Sequence, residues 1–139
     1  MALIPDAGTG LQLILAGLAL YHLGIGVVAA LSGKVTAKAV RGLYGLHLVD
    51  SPAFRYATKM LGLYGLTLGG LLANAALNPP AHRDVIVAII GLQSLRAGFR
   101  LMHRRLLAEA CAVTARDNLM GVSLLLIEIV LLVAFFPQS

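Results

Sequence analysis

The chain has 139 residues, of which 59% are hydrophobic and only 12% charged, and its mean hydropathy is +0.88. A soluble domain carries about 25% charged residues, so a water-soluble globule is excluded and lipid is the expected solvent. The net charge of +5 reads as a membrane-topology signal rather than a nucleic-acid surface, because the basic residues cluster beside apolar runs.

The chain opens Met1-Ala2-Leu3-Ile4-Pro5-Asp6, without the Lys or Arg that begins a secretory signal peptide. The first apolar run, 11–31, is therefore expected to stay as a span, with Thr9 as its N-cap and Gly33 as its stop. Lys34, Lys38 and Arg41 follow, set among Val40, Leu43, Tyr44, Leu46 and Leu48. That mixture predicts a short helix lying in the membrane interface. Asp50-Ser51-Pro52 then combines a capping side chain with proline in a first turn. A second span is expected over 54–77, ended by Asn78-Pro79-Pro80, since proline cannot continue a helix. The third span is expected over 84–107, with helix continuing into the connection beyond it. The fourth is expected over 119–136, capped by Asp117 or Asn118. The fold class is thus an all-α, integral membrane four-helix bundle in one domain, with an interfacial helix between spans one and two.

Basic residues orient these spans. Lys34, Lys38, Arg41, Arg55 and Lys59 flank the first connection, and Arg100, Arg104, Arg105 and Arg116 flank the third. The second connection holds only Arg83, and the tails hold none. Setting aside Arg96, inside a span, the balance is nine against one. It puts both termini outside the cytoplasm.

Four polar residues fall deep within the spans. At about 1.5 Å per residue His22 lies about 17 Å from the outer end of its span, Glu128 about 13 Å and Arg96 about 18 Å. All are near the midplane of a core about 30 Å thick. Gln93 lies near the level of Glu128. Charges at that depth are costly and are paired or functional, so Glu128 and Arg96 are expected to contact each other, with His22 nearby. The layer reads equally as a functional site or as a polar clamp that fixes helix register.

On span three, Gln93, Arg96, Arg100 and His103 follow the spacing of one helical face, and Arg104 and Arg105 extend the basic stretch. Such groups bind anions, lipid phosphates or quinone carbonyls, but for Arg100, Arg104 and Arg105 simple anchoring at headgroups is the preferred reading. Haem needs two imidazoles at matching depth; His22 has no such partner, so neither haem nor any other cofactor is predicted. The lone Cys111 excludes an intrachain disulfide and a cysteine-built metal centre, and no metal site is expected. Gly65, Gly69 and Ala73 form a small-residue stripe suited to close helix packing or to self-association. No catalytic signature occurs.

The stretches Gly45-Leu46-His47-Leu48-Val49-Asp50-Ser51-Pro52 and Asn78-Pro79-Pro80-Ala81-His82-Arg83-Asp84 resemble small four-helix bacterial membrane proteins of DoxX-like architecture. The resemblance implies a four-span bundle in a bacterial inner membrane and transfers no site residue. The short connections rank a non-enzymatic accessory or assembly subunit first among functions, partnered by other membrane subunits or by itself. A small transporter or channel using the Glu-Arg-His layer comes second. A redox or lipid-modifying enzyme holding a quinone or lipid at Arg96 and Arg100 comes third.

Overall fold

A computed structural model of the chain describes residues 7–47, 49 and 51–137. Those residues form six α-helices: α1 (Ala7–Leu31), α2 (Gly33–Tyr44), α3 (Pro52–Leu77), α4 (Arg83–Met102), α5 (Arg104–Cys111) and α6 (Ala115–Ala134). The turn between α3 and α4 is a 3-10 segment, Pro79–His82. Four helices, α1, α3, α4 and α6, are long and apolar enough to cross a membrane. The fold is therefore all-α, with four candidate spans and two short helices.

The first connection is built by local capping. Ser32 breaks α1 and caps α2, its hydroxyl accepting from Val35 N at 3.4 Å. Gly33, expected as a stop, is the first residue of α2. The Thr36 hydroxyl donates to Ser32 O at 2.8 Å and to Val28 O at 3.2 Å, tying the first turn of α2 back to the end of α1. Helix α2 stops at Gly45, whose left-handed φ of 66° suits glycine. A Cβ at Gly45 would also meet the Asp117 carboxyl at 2.7 Å. Ser51 caps α3 by accepting from Phe54 N at 3.1 Å, with Pro52 in the first turn; Asp50, the neighbouring capping candidate, lies outside the described residues.

Three boundaries differ from expectation. Helix α1 begins at Ala7, so Thr9 lies within its first turn rather than before it. The third span does not run to 107: α4 ends at Met102, His103 turns with φ −102° and ψ 26°, and α5 is a separate helix. Helix α6 starts earlier than 119, at Ala115, and its cap is Thr114, whose hydroxyl accepts from Asp117 N at 3.1 Å. A threonine three residues before an acid is a capping signal, and it was there to be read.

The spans pair as α1 with α3 and α4 with α6. Glycine makes the first pair close. A Cβ on Gly62 would stand 2.6 Å from Ala30 N, and one on Gly26 would stand 2.8 Å from Leu66 N. Gly65 faces Gly26, and Gly69 faces Leu23. The expected stripe thus serves packing within the bundle, with Ala73 behind it against the core. With lipid as solvent, such van der Waals contact between backbones is the main force holding helices together.

The shared core lies in one half. Leu11, Leu15, Leu18 and Ala19 of α1 meet Leu72 and Ala75 of α3, Ile86 and Ile89 of α4, and Leu132 of α6. All of these sit toward the end carrying the α3–α4 turn. The opposite half, next to α2, α5 and most of the Lys and Arg residues, is called the basic end below. There the closely packed α1–α3 pair and the α4–α6 pair line a cavity between them.

Candidate functional site

The cavity at the basic end measures about 670 Å³. Every helix contributes to its wall, among them Ala29 of α1, Val40 of α2, Phe54 of α3, Arg96 and Arg100 of α4, and Leu107 of α5. On α2, Thr36 and Val40 face the cavity while Lys34, Lys38 and Arg41 on the other side are exposed. Helix α2 therefore turns Thr36 and Val40 toward the cavity and its basic side chains away from it. Its far end is pinned where His47 N donates to Cys111 O at 2.8 Å, joining the α2–α3 loop to the end of α5.

The wall is mainly apolar. Its two threonine hydroxyls are committed to their own or adjoining helix turns: Thr36 as above, and Thr58 to Phe54 O at 2.7 Å. Leu61 of α3 and Leu95 and Phe99 of α4 line the cavity, yet they are 67%, 74% and 54% exposed. The cavity is thus open sideways, through the gap between α3 and α4.

Arg96 sits where this cavity meets a smaller one of about 100 Å³, which is lined also by Tyr21, Leu43 and Glu128. Arg96 and Glu128 are linked, but not by the direct ion pair expected from sequence. Gln93, only 1% exposed, stands between them. Its Oε1 accepts from Arg96 Nη1 at 2.8 Å, and its Nε2 donates to a Glu128 carboxylate oxygen. A side-chain amide carries its donor and its acceptor on separate atoms of one planar tip, so it can accept from one charged partner and donate to the other at once.

His22 is buried, as its depth implied, but its ring bonds locally. Nδ1 donates to Leu18 O at 2.8 Å, one turn back on α1, and the ring packs edge-on against Tyr21 at 5.1 Å. His22 thus bonds within its own helix and to none of Arg96, Gln93 and Glu128.

One turn beyond Arg96, Arg100 makes a second polar link from α4 to α6. Its Nε donates to Asn118 Oδ1 at 3.2 Å, and Asn118 Nδ2 donates back to Arg100 O at 3.3 Å. Gly121 makes room for the guanidinium: a Cβ there would stand 2.9 Å from Arg100 Cζ. The sequence marked Asn118 only as a candidate helix cap and did not mark Gly121, because each acquires this role only from the α4–α6 register. The face carrying Gln93, Arg96 and Arg100 ends at that point. His103 is exposed at the helix end, its ring 4.4 Å from that of Phe99, and Arg104 and Arg105 are exposed on α5. Those three residues therefore stand apart from the cavity.

At the other end, His82 is half-buried and accepts a hydrogen bond from Asn74 Nδ2 at 3.2 Å, tying the α3–α4 turn to α3. Among the described residues no three His, Cys, Asp or Glu side chains gather into a metal-holding group.

No family model, curated protein or solved structure matches the chain.

Proposed function

We propose that this chain binds a lipid-like amphiphile in the basic-end cavity, admitting it sideways from the bilayer between α3 and α4. One observation carries the reading: an apolar cavity of about 670 Å³ has two arginines in its wall and a lateral opening rimmed by Leu61, Leu95 and Phe99. Ligand sites typically measure about 300–1,000 Å³ and combine apolar walls with a few polar groups that orient the ligand. The cleft thus joins a polar anchoring point to a hydrocarbon-facing exit, as an amphiphile requires.

The nine-to-one distribution of basic residues supports a cytoplasmic basic end, with both termini outside. The resemblance to DoxX-like bacterial proteins supports a bacterial inner membrane. The accessory-subunit reading rests on short connections and the absence of a catalytic signature, whereas the cavity supports ligand binding, either as the protein's own task or as its contribution to a larger complex. The packed leucine and isoleucine core of the other half weighs against a continuous transport path.

The test is to extract the protein with its surrounding lipid into polymer-bounded discs and to compare bound lipids with the bulk membrane. The full chain should enrich a subset of amphiphiles. Ala29→Phe, which fills the cavity from α1, should lose that enrichment while remaining folded. Identical lipid profiles for the chain, the variant and the bulk membrane would defeat the reading.

A further inference from the structure

We propose that the amphiphile carries a small uncharged head that both accepts and donates hydrogen bonds, a primary amide or a hydroxyl, held between Arg96 and Glu128. This deepens the ligand-binding reading and rests on it. Arg96, Gly121 and Leu125 belong to the walls of both the larger cavity and the smaller one, so the two adjoin there. Glu128 lines the smaller cavity and not the larger, and Tyr21, Leu43 and Leu124 complete the smaller wall. An amphiphile with its chain in the larger cavity therefore meets these polar partners at the seam. A guanidinium carries five N–H donors and a carboxylate two acceptor oxygens. Gln93 takes up one N–H of Arg96 and one oxygen of Glu128, and the same two side chains still face the smaller cavity.

Charge and size together define the head. Arg96 and Glu128 present opposite charges in one wall. An anionic head is attracted by Arg96 and repelled by Glu128, and a cationic head the reverse. Net charge of either sign therefore gains little there while losing its hydration. A neutral head with a donor and an acceptor satisfies both side chains, and hydrogen bonds to charged groups are stronger than those between neutral ones. An ester accepts from Arg96 but brings no donor for Glu128. The smaller cavity, about 100 Å³, matches the liquid volume of about three water molecules. It admits a head of a few heavy atoms and is too small for a phospholipid headgroup.

The chain has no tryptophan, so Phe99→Trp places a single fluorophore on the wall of the larger cavity. In phosphatidylcholine vesicles at alkaline pH, dibromostearamide should quench it saturably. Methyl dibromostearate and the dibromostearate anion, at equal mole fraction, should each bind about tenfold more weakly, the difference expected for one hydrogen bond to a charged group. Glu128→Gln keeps an oxygen for Gln93 but removes the negative charge. In that variant the anion should gain about tenfold, and the amide should lose its advantage over the ester. An ester as tight as the amide, or an anion tighter than it, overturns this proposal while the cavity reading stands. An order of affinities unchanged by Glu128→Gln also overturns it, because Glu128 then takes no part in choosing the head. No saturable quenching by any of the three, with Leu61→Trp as a second reporter agreeing, overturns both. The three-probe comparison needs no charge variant, so it decides the matter even if Glu128→Gln misfolds.

Discussion

At the scale of single residues, the centre of the polar layer is Gln93. The presence of Arg96 and Glu128 at similar depth was legible, because ionisable residues are rare in apolar spans and depth follows from counting residues. Their connection was not. Opposite charges invite a direct pair, but Gln93 lies on the α4 face packed toward α6 and takes the position opposite Glu128. Arg96, three residues on, reaches back to the amide instead. The replaceable and irreplaceable members of the layer follow from this arrangement. Glu128→Gln retains an oxygen that can accept from Gln93 Nε2. Gln93→Leu strands Arg96 and Glu128 together. Leaving a buried polar group unsatisfied costs about 1–3 kcal/mol, and more when it is charged, whereas a typical interhelical hydrogen bond within a membrane is worth only about 0.6 kcal/mol. Thermal unfolding in mild detergent should therefore rank Gln93→Leu as clearly more damaging than Glu128→Gln. The reverse order would mean that Arg96 and Glu128 do not depend on the amide between them.

At the scale of elements, apolar length located the four spans, and the basic, mixed composition after span one located α2. The breaks were harder to read. His103 interrupts α4 and α5 without glycine or proline, and the Arg-rich run around it is compatible with helix throughout. After the break, α5 brings Leu107 into the cavity wall, a placement that local composition does not reveal. The glycine stripe was half legible: Gly65 and Gly69 were visible as a motif, while Gly26 and Gly62 make the closest approach to backbone. Gly62→Ala should force α1 and α3 apart, because its Cβ would lie 2.6 Å from Ala30 N and backbone cannot rotate away. Overpacking of this kind costs about 1–3 kcal/mol. Gly70→Ala on the same helix meets nothing within 4 Å and should be neutral or stabilising by up to about 1 kcal/mol, from helix propensity alone. Equal effects of the two substitutions on unfolding would show that the α1–α3 contact is looser than the structure has it.

At the scale of the whole molecule, the bundle is asymmetric: one half is filled by a continuous apolar core, and the other lines a cavity. Composition cannot reveal such a difference, since leucine and isoleucine occur in both halves and the cavity lies between the α1–α3 and α4–α6 pairs. Orientation decides which side of the membrane the cavity mouth serves, and the basic residues argue for the cytoplasm. The lone Cys111 allows a direct check, because it lies at the end of α5 on the basic side and is half-buried. In intact cells Cys111 should resist a membrane-impermeant maleimide and should become reactive after permeabilisation. In a Cys111→Ala background, Ala81→Cys, exposed in the α3–α4 turn, should react without permeabilisation. Reactivity of Cys111 itself before permeabilisation would invert the protein. The cavity would then open on the outer side, and a ligand held in it would have to come from the outer leaflet. If both positions react only after permeabilisation, the α3–α4 turn does not reach the outer surface, and four complete crossings are ruled out. The pattern with Ala81→Cys reactive and Cys111 protected is the one that the nine-to-one distribution of basic residues requires.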